Sequence, residues 1–110
     1  MKIKIDNFEE NPANFFRKIG YIFVRHEDDE MSFVRILARS GYPRFHIFAH
    51  MHQGNLIINI HLDRKKKTYG NSVRHHGEYE DSDLLKKEVE RIKKFLPGSQ
   101  SNHNSKVLEL

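Results

Sequence analysis

The stretch RFHIFAHMHQGNLIINIHLD, Arg44–Asp63, decides the fold. Gln53-Gly54 separates two runs rich in β-favouring residues and reads as a two-residue hairpin turn. Side chains alternate across a strand. Before the turn, Phe45, Ile47, Ala49 and Met51 share one face, and Arg44, His46, Phe48, His50 and His52 share the other. After it, Leu56, Ile58, Ile60 and Leu62 form one face, with Asn55, Ile57, Asn59, His61 and Asp63 opposite. A two-residue turn pairs His52 with Asn55. Met51 then meets Leu56, Ala49 meets Ile58, Ile47 meets Ile60 and Phe45 meets Leu62. Every pair on that face is apolar, so the register is specified by burial, and a one-residue slip would bury the histidines. The same register sets His50 against Ile57, Phe48 against Asn59, His46 against His61 and Arg44 against Asp63.

Working outward, NPANFFRKIG predicts a helix. Asn11 can accept from the first free N–H groups, and Pro12 suits the first helical position. Phe15, Phe16 and Ile19 make its apolar stripe, and Gly20 ends it. MKIKI alternates and suits a short first strand. YIFVRH and MSFVRILA read as two strands around the acidic tip EDDE, and RSGYPR is a turn. RKKKTYGNSVRHHGEYED reads as a polar loop. SDLLKKEVERIKKFL is a second helix, capped by Ser82, with Leu85, Val89, Ile92 and Leu96 as its buried stripe. Pro97-Gly98 stops it, and GSQSNHNSKVLEL has the composition of a disordered tail. The expected architecture is α+β: a four-stranded antiparallel meander with an N-terminal and a C-terminal helix packed on one face. Residues 1–97 form the single domain and 98–110 the tail.

The first hairpin admits two orientations. With Val34, Ile36 and Ala38 in the core, Phe33, Arg35 and Leu37 join the histidine face beside Tyr21, Phe23 and Arg25. The opposite choice buries Arg35, which is costly without a partner, so the first is expected. The plainer use of Phe23, Phe33 and Leu37 is a second small core beneath the loop that follows Asp63.

The chain has 110 residues, of which 37% are hydrophobic and 31% charged, and this suits one modest globular core. No apolar run approaches the roughly 20 residues that span a bilayer. The N-terminal residues lack the apolar segment of a secretory signal. Cysteine is absent, which excludes disulfides and thiolate metal ligands. A cytoplasmic protein is expected. Net charge is +4, and the excess falls in residues 39–76, where seven Lys and Arg face only Asp63. Six of the eight histidines lie in the same third, so that region is where chemistry is sought. A local basic field suits a polyanionic partner, although a solvated basic surface would look the same.

The first functional expectation is binding of RNA or another polyanion. Tyr21, Phe23, Phe33, Phe48 and Tyr69 can stack bases, while Arg35, Arg44, Arg64, Lys65, Lys66, Lys67 and Arg74 track phosphates and Tyr79 adds a contact. Cleavage without a metal extends this reading. His46, His61 and His75 would move protons, Asp63 would orient a neighbouring imidazole, and Arg44 would clamp the phosphate. The second expectation is a zinc site built from His46, His61 and either His75 or His76, with Asp63 or Glu78 as a further ligand. The third is that the histidines are ordinary occupants of a half-exposed sheet face or of a protein interface. His75, His76, Glu78 and Tyr79 follow the strand that carries His61 and Asp63, so their loop could fold over that face. They could equally be a lead-in whose acidic residues favour the helix start.

The order of a helix and a four-stranded antiparallel sheet resembles the barnase and RelE-type toxin ribonucleases. None of their motifs is present, so no residue role is carried over. YPRFHIFA, LIINIHLDRKKKTYG and RHHGEYED, followed by a Lys/Glu-rich helix, resemble a group of short bacterial proteins over roughly residues 15–96. That resemblance implies one compact domain. It directs attention to His46, His61, Asp63, His75, Glu78 and Tyr79 and assigns none of them a role.

Overall fold

The computed structural model describes residues 1–64, 77–97 and 106–110, with 77–81 described by backbone alone. In order the elements are β1 (Lys2–Ile5), α1 (Pro12–Lys18), β2 (Ile22–Glu27), β3 (Glu30–Ile36), β4 (Arg44–His52), β5 (Asn55–Asp63), α2 (Gly77–Lys94) and β6 (Val107–Glu109). The strands form one six-stranded sheet in the order β2-β3-β4-β5-β1-β6, with every pairing antiparallel. The four-stranded meander is therefore present as β2 to β5 and is extended by two further strands.

The β4–β5 register is the one its apolar face dictates: Phe45 opposes Leu62, Ile47 opposes Ile60, Ala49 opposes Ile58 and Met51 opposes Leu56. Ile47, Ala49, Ile58 and Ile60 are fully buried. The turn is tight because Gln53 and Gly54 both have positive φ, 53° and 82°, as a type I′ hairpin requires. β1 adds Ile3 opposite Ile58 and Ile5 opposite Leu56. Phe15, Phe16 and Ile19 at α1, and Leu85, Val89, Ile92 and Leu96 along α2 and the turn after it, join those residues in one hydrophobic core. In α1 the Asn11 side chain accepts from the Asn14 N–H, and Pro12 begins the helix.

Three expectations need correction. The first concerns the tail over 98–110. Its last residues form β6, where Ile5 pairs with Val107 and Ile3 with Glu109. Asp6 N–H donates to the Lys106 carbonyl at 2.8 Å. β1 would otherwise leave an open edge, and Val107 packs against the core, so a short apolar segment suffices to close it. The second concerns α2. The helix begins at Gly77, which places Glu78 and Tyr79 in its first turn and not in a loop. The remaining loop residues, 65–76, lie outside the described residues.

The third concerns the first hairpin. Phe33 opposes Ile47 and is fully buried in the core, and Tyr21 is buried with it. Arg35 opposes Phe45 and so lies on the helix side, away from the histidines. Its partner is Glu88 of α2. Arg35 Nη2 donates to Glu88 Oε1 at 2.7 Å and Arg35 Nε to Oε2 at 3.0 Å. Arg91 donates to both carboxylate oxygens at 3.0 Å, and the Tyr21 hydroxyl donates to Oε2 at 2.7 Å. The Glu88 side chain is only 2% exposed, so its charge survives burial only because five donors surround it. Gly20, with φ 106°, has an ideal Cβ position 3.4 Å from Arg35 Cδ, so its missing side chain gives the arginine its path.

Burial alone would raise the Glu88 pKa, but the hydrogen bonds from Arg91, Arg35 and Tyr21 outweigh it and hold the carboxyl below its usual range. A depressed carboxylate contributes stability above the unfolded value, about pH 4.3, and that contribution is lost as pH falls through the folded value. Glu88→Gln is expected to cost about 2–4 kcal/mol in denaturant unfolding at pH 7, because two guanidinium groups lose their charge partner. The variant should also lose part of the wild-type fall in stability below about pH 4. An unchanged midpoint at pH 7 would show that the cluster is not stabilising.

Candidate functional site

Because cross-strand partners share a face, the side of the sheet opposite the core can be read strand by strand. β4 contributes Arg44, His46, Phe48, His50 and His52, and β5 contributes Asn55, Ile57, Asn59, His61 and Asp63. β3 contributes Ser32, Val34 and Ile36, which oppose Phe48, His46 and Arg44. β1 adds Lys2 opposite Asn59 and Lys4 opposite Ile57. In β2 a bulge between Phe23 and Arg25 resets the alternation. Phe23 opposes Phe33 on the core side and Arg25 opposes Ser32 on the histidine side. Arg25, Ser32 and Phe48 help line a shallow cavity of about 170 Å³ there.

Three chemistry-bearing side chains converge on this face. His46 opposes His61 with ring centroids 5.1 Å apart. Asp63 lies between them. Its Oδ2 is 3.3 Å from His46 Nδ1, and its Oδ1 is 3.6 Å from His61 Nε2. One ligand atom from each of the three lies within 4.8 Å of the others, the one such group of three among the described residues. Two ligands bound about 2.0–2.1 Å from a tetrahedral zinc lie about 3.4 Å from each other. The two imidazole nitrogens lie near that distance from Asp63, each from a different carboxylate oxygen.

Packing fixes the rings. Phe48 sits 4.4 Å from His46 and 5.7 Å from His61, centroid to centroid, which closes a triangle of three rings. Phe48 is thus engaged with the imidazoles and is not a detached stacking platform. Arg44 opposes Asp63 along the strands, yet its guanidinium lies 4.2 Å over the Tyr42 ring and donates to the Tyr42 hydroxyl. Among the described residues Asp63 forms ion pairs only with the two histidines. Among the described residues, His46 Nε2 and Arg44 Nε are buried without hydrogen-bond partners. With its proton on Nδ1, facing Asp63, His46 keeps an unprotonated Nε2. Coordination through Nδ1 would move that proton to Nε2, where no acceptor waits among the described residues.

Of the other residues singled out, His50 and His52 lie toward the turn, away from the triad. Lys65, Lys66, Lys67, Tyr69, Arg74, His75 and His76 lie outside the described residues, so no structural statement is made of them. Arg35 is committed to Glu88 on the opposite side of the sheet. Sequence reasoning missed Lys2 and Lys4 on this face, although the alternation in KIKI carries that signal once the segment joins the sheet. Compared with known proteins, the chain matches no family model, no curated protein and no solved structure. No described helix is long and apolar enough to cross a membrane.

Partial withdrawal from water lowers the His61 pKa below the usual value, Asp63 opposes that effect, and His46 reinforces it. Asp63→Asn removes the opposing charge. The His61 ring, followed by NMR across pH, should therefore titrate lower still in the variant. An equal or higher value would show that Asp63 does not act on His61.

Proposed function

We propose that His46, His61 and Asp63 form a divalent-cation site of the zinc class. The observation that carries this is the spacing of the Asp63 oxygens from the two imidazole nitrogens, 3.3 and 3.6 Å. Two neutral imidazoles and one carboxylate suit a borderline cation, and three protein ligands leave a position for water, as in catalytic and not structural zinc sites. A bound cation would supply activation of that water for hydrolysis. The chain's own residues hold the donors on two hydrogen-bonded strands, with Phe48 packed against both rings. Among the described residues no acceptor faces His46 Nε2, which argues for an affinity about 10–100-fold below that of a site with a complete set of supporting hydrogen bonds.

A second reading concerns what this face attracts. Lys2, Lys4, Arg25 and Arg44 share it with the triad, and such a field favours RNA or another polyanion. His46, His61 and Asp63 could then serve cleavage either with the cation or, as a proton-transfer pair, without it. A cytoplasmic setting agrees with a cysteine-free chain.

Zinc titrated into the purified chain should raise the melting temperature, by about 2.7 kcal/mol of added stability at a hundred times the dissociation constant. His46→Ala, His61→Ala or Asp63→Ala should each abolish the rise, and His52→Ala should not. A rise that survives all three triad variants would reject the site. RNA binding that weakens with salt and on Lys2/Lys4→Glu would support the second reading.

A further inference from the structure

β2 ends the sheet on one side, and all six of its residues are exposed. Ile22, Phe23 and Val24 are 55%, 47% and 45% exposed, more than isolated surface apolar residues need be, and they are consecutive. Edge strands are usually blunted by lysine, proline or shortness. The opposite edge follows that rule, since β6 has three residues. β2 has no lysine or proline. Its devices are the bulge between Phe23 and Arg25 and the charges of Arg25 and Glu27, and they leave Ile22, Phe23 and Val24 open to solvent.

Charge is distributed unequally along this edge. At its C-terminal end the tip carries Glu27, Asp28, Asp29 and Glu30, all exposed, against Arg25 alone, which ion-pairs with Glu27 at 3.7 Å. At its N-terminal end α1 finishes with exposed Arg17 and Lys18, the latter paired with Glu10. An antiparallel partner strand of the same sequence would set the acidic tip of each copy beside the basic helix end of the other. With the two-fold axis at Phe23, Ile22 of each copy would face Val24 of the other, and the tip would face the end of α1.

We propose that β2 is the contact through which two copies of this chain pair, antiparallel and across a two-fold axis, into one continuous twelve-stranded sheet. The occupant is a second copy because the edge is complementary to itself, which an isologous interface demands. Backbone pairing supplies affinity, as in other strand additions. So short a contact buries less than about 1,000 Å², so the dimer is reversible and depends on concentration.

Sedimentation velocity at low salt should show the mean mass rising from one chain toward two between about 10 µM and about 500 µM, the range of a weak interface. Val24→Lys should hold the chain monomeric with unchanged circular dichroism, since that side chain is exposed. Asp28→Lys with Asp29→Lys should do the same, and adding Arg17→Glu and Lys18→Glu to that double variant should restore the dimer. A chain that stays monomeric at every concentration overturns the proposal. So does a dimer that survives both Val24→Lys and the charge reversal at the tip, which would place the contact elsewhere.

Discussion

The rest of the structure depends on the alternation of apolar side chains across the β4–β5 hairpin. Burying Phe45, Ile47, Ala49, Leu56, Ile58 and Ile60 on one side leaves one pairing of the two strands, and the positive φ values of Gln53 and Gly54 let the turn close in that register. Apolar residues of both helices join the core cluster on that side. His46, His61 and Asp63 are brought together on the other side as a consequence. The candidate site is therefore not an addition to the fold. It is the reverse face of the core, and its geometry is as rigid as the ladder beneath it.

That hairpin was legible in the sequence because period-two alternation and turn chemistry agreed on it. So were both helices, whose stripes include Phe15 and Phe16 in one and Leu85, Val89 and Ile92 in the other. The first hairpin was not, because the cost of burying Arg35 points to the wrong face unless its distant partner Glu88 is known. Glu88 falls within the α2 stripe between Leu85 and Val89, so a carboxylate facing the core from that position announces a cation across from it. Two kinds of feature were beyond local reading. β6 is too short to show a period, and it exists because β1 offers an edge. The start of α2 at Gly77 runs through a Gly-Glu-Tyr segment whose composition reads as loop.

The two faces handle charge by different means. On the helix side Glu88 is fully buried and held ionised by Arg35, Arg91 and Tyr21, so its role is to fix α2 against β3. On the histidine side the groups are half exposed and incompletely paired. Asp63 faces two imidazoles, and His46 Nε2 has no partner among the described residues. A satisfied cluster specifies structure, whereas an incompletely satisfied one on an accessible face is available for ligands.

The most direct test of the metal reading is anomalous diffraction at the zinc edge from crystals of the chain grown with zinc. The arrangement described predicts a single strong peak about 2.0–2.2 Å from a ring nitrogen of His46, a ring nitrogen of His61 and an Asp63 oxygen. A well-ordered crystal with these three side chains in place and no peak between them, or with zinc only at His50 and His52, would contradict it.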